Sequence, residues 1–264
     1  MKKHLLAGLL ALAPHALAAH EFWIEPETYA VAPGGRIVAD LKVGEDFAGS
    51  TFSFNPRSFS RFDMAQAGAP EPVPGRPGDR PAVQIEAPGA GLLIFAHETE
   101  PQQVTYSAMA DFEAFLAHKD WSQLRAVHEA RGWPEAGFAE RYTRHVKSLV
   151  AVGDGSGTDR VLGLQTEIVA LANPYTDAAE TLPVQVFLEG APRADAQVEL
   201  FEKAPDGSVT VSLHRTDAEG VATLPVSAGH SYLVDAVVIR PLEPSATAPE
   251  LWESLWAGLT FAVP

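Results

Sequence analysis

Short runs that alternate apolar and polar residues, most of them closed by a glycine, proline or aspartate turn, recur along this chain. No other sequence feature constrains the fold as strongly. A period of two places every second side chain on one face of a strand, so each run must be covered on that face. Residues 36–43 follow the turn cluster Ala32-Pro33-Gly34-Gly35 and read as a half-buried strand. Thr51-Phe52-Ser53-Phe54 and Ser58-Phe59-Ser60-Arg61-Phe62 alternate aromatic with polar residues. Residues 66–90, rich in proline and glycine, read as long connections around one short strand at 82–85. Gly91-Leu92-Leu93-Ile94-Phe95-Ala96-His97 is almost continuously apolar, as a central strand would be. After the Asn173-Pro174 turn the alternation resumes at 183–188, 196–201, 221–226 and 232–239, with Asp206-Gly207 as a hairpin signal. Strands at this spacing argue for a β-sandwich.

Between residues 107 and 151 the period changes. Ser107 can cap a helix with Met109, Phe112, Phe115 and Leu116 on its apolar face. Asp120 and Gln123 have capping-box spacing and open a second helix, which Gly132 stops. Pro134 suits the first turn of a third, in which Phe138, Tyr142, His145 and Leu149 share a stripe. His145 then reads as a packed histidine with a polar partner. Trp252 and Trp256, four apart, suggest one helical turn before a last strand. The expected fold is mainly β: tandem β-sandwich-like domains with a three-helix insertion. The N-terminal β domain covers 20–175, with the insertion at about 107–151, and the second sandwich covers 180–264.

Residues 1–19 read as a secretory signal. Lys2 and Lys3 are basic, residues 5–13 are an apolar run too short to span a bilayer, and Ala16-Leu17-Ala18 is a small-x-small cleavage site. The sequence has no cysteine, which excludes disulfides, thiolate metal sites and a lipid-anchoring cysteine. The expected location is therefore periplasmic, with no membrane insertion once the signal is removed. The formal charge of −15 excludes charge-driven binding of nucleic acid.

Cleavage after Ala18 or Ala19 leaves His20 at or next to a new amino terminus. A free amine and an imidazole can chelate one metal ion when both are deprotonated. Nitrogen donors of this kind suit copper, nickel or cobalt and not magnesium. The plainer alternative is that His20 simply opens the first strand. His97, at the end of its apolar run, is the second candidate ligand, with a hydrogen-bonded histidine as the alternative. No catalytic residue stands out. A Gly-x-Ser-x-Gly elbow is missing, and nothing fixes a separation among Glu21, Glu25 and Asp40. A copper oxidoreductase using an N-terminal histidine and a non-catalytic carbohydrate- or protein-binding module are the other readings open to a chain of this pattern.

Three blocks carry a family resemblance: AHEFWIEP with VGEDF downstream, RYTRHVKSLVAVG at 141–153, and WESLWAGLTF at 252–261. Together they resemble uncharacterised periplasmic proteins described as the periplasmic component of cobalt or nickel ABC-type uptake systems. GAPRADAQVELF and TDAEGVATL also resemble the transthyretin-like sandwich pattern. The resemblance implies an Ig-like or transthyretin-like C-terminal sandwich and a non-enzymatic metal-binding accessory role. It also implies an inner-membrane metal permease as partner. His20 matches the family's histidine after the signal, whereas Val238 stands where relatives often carry another.

Overall fold

The structure is a computed structural model and describes residues 20–177, 180–245 and 248–264. The expected signal at 1–19 lies outside the described residues. The chain opens with β1 (Glu21–Pro26), β2 (Ala30–Val31), β3 (Arg36–Glu45), β4 (Ala48–Phe52), β5 (Phe59–Ala65) and β6 (Glu71–Pro72). β7 (Val83–Glu86), β8 (Gly91–Thr99) and β9 (Gln102–Tyr106) lead to α1 (Met109–His118) and α2 (Leu124–Ala130). β10 (Phe138–Val152), β11 (Thr166–Ala170), β12 (Thr181–Leu188), β13 (Ala191–Pro192) and β14 (Gln197–Lys203) follow. β15 (Val209–Arg215), β16 (Val221–Pro225), β17 (Ser231–Pro241) and β18 (Trp252–Ala262) complete the chain. The fold is mainly β, as the alternation requires.

A ten-stranded sheet forms the middle layer, in the order β15-β14-β17-β18-β10-β8-β5-β6, with β2 and β9 also pairing with β10. β10 and β18 run parallel, from Glu140 opposite Trp252 to Ser148 opposite Thr260. Alternate residues of this sheet feed two different cores. Leu149, Val234, Ala257 and Leu259 pack on one side against Ile168, Val184 and Leu224 of the β11–β12–β16 layer. Val146, Val150, Leu93 and Phe95 pack on the other side against Ile24, Ile37, Leu41 and Val83 of the β1–β3–β7 layer. Farther along that second side, Phe112, Phe115 and Leu116 of α1 cover Val237, Trp252 and Trp256. Two sandwiches thus share one sheet. The expected division near 175–180 falls between β11 and β12, which are hydrogen-bonded to each other, and the β10–β18 pairing also crosses it.

Two of the three expected helices form; the third does not. Residues 138–152 are the strand β10, although Phe138, Tyr142, His145 and Leu149 fit a helical stripe. β10 is buried on both faces and mixes polar residues such as Glu140, Arg144, His145 and Lys147 with apolar ones on each, so its period is ambiguous from sequence and its partners decide it. The same correction applies to Trp252 and Trp256, which lie in β18. A spacing of four puts two residues on one face of a strand as well as of a helix. At α1 the cap position is Ala108 and not Ser107, with no side-chain cap bond.

Double burial forces polar groups of β10 to find partners inside. Lys147 is held by Asp159 at 2.7 Å and Glu167 at 3.2 Å. Glu140 accepts from Tyr106 Oη at 2.6 Å and from Ser254 Oγ. Burial pushes the Glu140 carboxyl up to about 7, against the opposing effect of those hydrogen bonds and of Arg144.

Two outcomes follow from this layering. Cleavage at 66–90 or 173–181 is expected to give a nicked protein whose pieces stay together on native gel filtration. Release of a folded piece beginning near residue 180 would show that the central sheet can divide. The second outcome concerns Glu140. Its folded-state pKa lies above the unfolded one, so the native state holds more protons between about pH 4.5 and pH 7 and loses stability as pH rises. Glu140→Gln lacks this loss. Relative to wild type, the variant is expected to gain about 3 kcal/mol on going from about pH 4.5 to about pH 8 in urea titrations. A difference that does not change with pH would mean that Glu140 ionises normally.

Candidate metal site

His20 and Phe22 alternate with Glu21 along the start of β1, so His20 and Phe22 share one face and Glu21 takes the other. On the first face lies a cavity of about 390 Å³, and both histidines selected from the sequence line it. His20 comes from the entry to β1 and His97 from β8. Thr99, Gln102, Tyr142 and Arg144 add polar wall, and Phe52 of β4, 51% exposed, stands at the rim.

The two histidines differ in character. His20 is half exposed, and its Nδ1 lies 3.1 Å from Glu45 Oε1, an acceptor that can fix the orientation of the ring. His97 is only 2% exposed and sits among Phe22, Phe59 and Phe62, with ring centroids 5.0, 5.2 and 4.9 Å away. Neither ring nitrogen of His97 has a hydrogen-bond partner. Burial lowers its pKa to about 3, with a further contribution from the charge of His145. His97 is therefore a neutral imidazole with a free lone pair across the physiological range, which is the ligand form. His145 does not join it. It occupies an odd position of β10, on the face opposite Arg144 and Val146. Val238 is buried in β17.

Arg144 was not singled out by sequence reasoning. Reading 142–152 in twos would have placed Tyr142, Arg144 and Val146 together, but the helical period hid this. Its Nη2 donates to the His20 carbonyl at 2.9 Å, and its backbone N–H donates to Thr99 Oγ1 at 3.0 Å. The guanidinium stacks over the Tyr142 ring at 4.6 Å, while Tyr142 Oη donates to Gln102 Oε1 at 2.8 Å. The first bond ties His20 to the central sheet.

Sequence reasoning also missed a cluster on the other face of β1. Glu21, Glu199 and Asp235 bring carboxylate oxygens within 4.8 Å of one another, all of them buried. Such a trio could hold a cation, and it holds the Lys119 ammonium, at 3.1, 2.8 and 3.2 Å respectively. Burial works against the charge on Lys119, but the three carboxylates outweigh it and strengthen its hold on the proton. Burial pushes the Asp235 carboxyl up, Lys119 opposes this, and Glu199 and Glu21 add to it. This cluster clamps β1, the end of α1, β14 and β17 together. With its centre filled by the Lys119 ammonium, the cluster is a structural lock.

A family model described as Domain of unknown function (DUF4198) matches residues 17–240. No curated protein matches the chain. Among solved structures, the D0-D1 domain of Intimin aligns at 11% identity, over 90% of this chain and 97% of that one, with a TM-score of 0.21. A tetra-tandem repeat in the extending region of a large adhesion protein aligns at 10% identity, over 92% of this chain and 49% of that one, with a TM-score of 0.20. Alignments this loose carry no argument about fold or function. Among the described residues no helix is long and apolar enough to cross a membrane.

The two unpartnered nitrogens of His97 cost stability for as long as nothing binds them. His97→Phe, which puts a phenyl ring among phenyl rings, is expected to fold and to gain up to about 2 kcal/mol in thermal unfolding of the metal-free protein. A loss of similar size would mean that the imidazole has a structural partner.

Proposed function

We propose a function on one premise: the chain belongs to the DUF4198 family, a domain of unknown function. The function is that of an exported, non-enzymatic binding protein for a late first-row transition-metal ion, nickel, cobalt or copper. The chain holds this ion through His20 and His97 and passes it to an inner-membrane permease. One observation carries the reading. Two histidines far apart in sequence wall the same cavity, and the buried one keeps both nitrogens free of protein partners. Removal of the signal would add a terminal amine, that of Ala19 or of His20, at or next to the same place. Amine and imidazole nitrogens favour later first-row ions over hard, oxygen-seeking ones. The resemblance of the AHEFWIEP, RYTRHVKSLVAVG and WESLWAGLTF blocks to the periplasmic component of cobalt or nickel uptake systems supports the transport role.

The test is calorimetric titration of protein recovered after export, with its first residue fixed by intact mass. Wild type is expected to begin at Ala19 or His20 and to bind Cu(II), Ni(II) or Co(II) ahead of Mg(II). His20→Ala, His97→Phe and a form with added N-terminal residues should each weaken binding at least tenfold, about 1.4 kcal/mol. If the extended form binds as wild type does, the terminal amine is not a ligand. If both histidine variants bind normally, the cavity is not the site and the protein attracts cations through its net negative charge alone.

A further inference from the structure

The cavity holds more than a bare ion needs. At about 390 Å³ it falls in the range of small-molecule sites, and its walls carry a cation besides the two histidines. Arg144 is 6% exposed, and its Nε has no hydrogen-bond partner. Its Nη2 donates to the His20 carbonyl, and its guanidinium lies over Tyr142, which also supports its charge. The acids whose charge reaches it all have other partners: Glu21 and Asp235 are bonded to Lys119, and Glu140 accepts from Tyr106 and Ser254. Among the described residues no carboxylate forms an ion pair with Arg144. A guanidinium taken out of water without an anionic partner is costly, and its planar fork of donors matches a carboxylate. Gln102 and Asn55 line the same space and add amide groups that an oxygen-rich molecule can meet.

Donor counting leads the same way. A chain that begins at His20 offers three nitrogens here, the His20 amine, its imidazole and the His97 imidazole; one that begins at Ala19 can add the His20 amide to the new amine and make four. An ion that prefers more ligands keeps positions open to oxygen donors from elsewhere. We propose that the cavity takes its metal as a chelate with a small carboxylic acid, the metal held by His20 and His97 and the acid's carboxylate paired with Arg144. This rests on the metal-binding reading above and names its substrate class. The cargo is a metal–carboxylate complex, with Arg144 as the cationic contact for the acid.

The experiment uses exported protein with a verified terminus and radiolabelled citrate or malonate, with and without Ni(II). Retention of label after gel filtration is compared with bound nickel. For wild type, one of the two acids should be retained at about one per bound nickel, and only when nickel is present. For Arg144→Gln the label per bound nickel should fall at least tenfold, and Arg144→Lys, which keeps the charge but loses the fork, should fall in between. Since wild-type retention is itself decisive, a misfolded variant does not remove the test. If nickel binds but both acids strip it from the protein, or are left behind in solution, the cargo is the bare ion; the co-ligand falls and the metal reading stands. Label retained equally without nickel would mark a plain anion site and overturn the proposal. Full retention by a folded Arg144→Gln would overturn the role of Arg144. If neither nickel nor its chelates bind, both readings fall together.

Discussion

The structure depends on two strands, β10 and β18, lying parallel in the middle of a sheet that is covered on both faces. Parallel pairing cannot be closed by a hairpin, so the chain between them must leave and return. Here it leaves after Val152, builds the outer β11–β12–β16 layer, adds β14, β15 and β17 to the central sheet and comes back as β18. The cost of that arrangement is visible in the polar groups it buries. Lys147 needs Asp159 and Glu167; Glu140 needs Tyr106 and Ser254; Thr260 donates to the Ile24 carbonyl at 2.7 Å. Each would be a large penalty if left unpaired, so these pairings fix the register and the layer contacts together.

The first strand is secured from both of its faces. On one, Glu21 joins the Lys119 cluster, which also takes in β14 and β17. On the other, Phe22 packs against His97, and Arg144 reaches the carbonyl of His20. His20 is thereby held beside the cavity that His97 also lines, through its carbonyl and the Glu45 carboxylate. The buried salt cluster is weak evidence for stability as such, because desolvating four charged groups offsets much of their attraction. Its effect is positional: it fixes the start of β1 against α1, β14 and β17.

Much of the site was legible in part. His20 was marked by the small residues before it, and His97 by its place at the end of an apolar run. Neither mark said that they meet, because β1 and β8 belong to different sheets and touch only through packing across the second core. Arg144 was hidden by a helical reading of its own segment. The Lys119 cluster was invisible, since its four members lie in four separate elements.

Alternation by itself determined that this chain would be mainly β, where most strands would lie, and that α1 would present Phe112, Phe115 and Leu116 to a core. Those properties follow from local periodicity and hold wherever the element ends up. What only the tertiary structure decided was the fate of residues 138–152 and 252–262, and with it the shared sheet and the cavity that His20 and His97 both line. In β10, buried on both faces, polar and apolar residues are mixed on each face. The periodic signal that tells strand from helix is then lost, and the choice passes to the partner strands that satisfy its backbone.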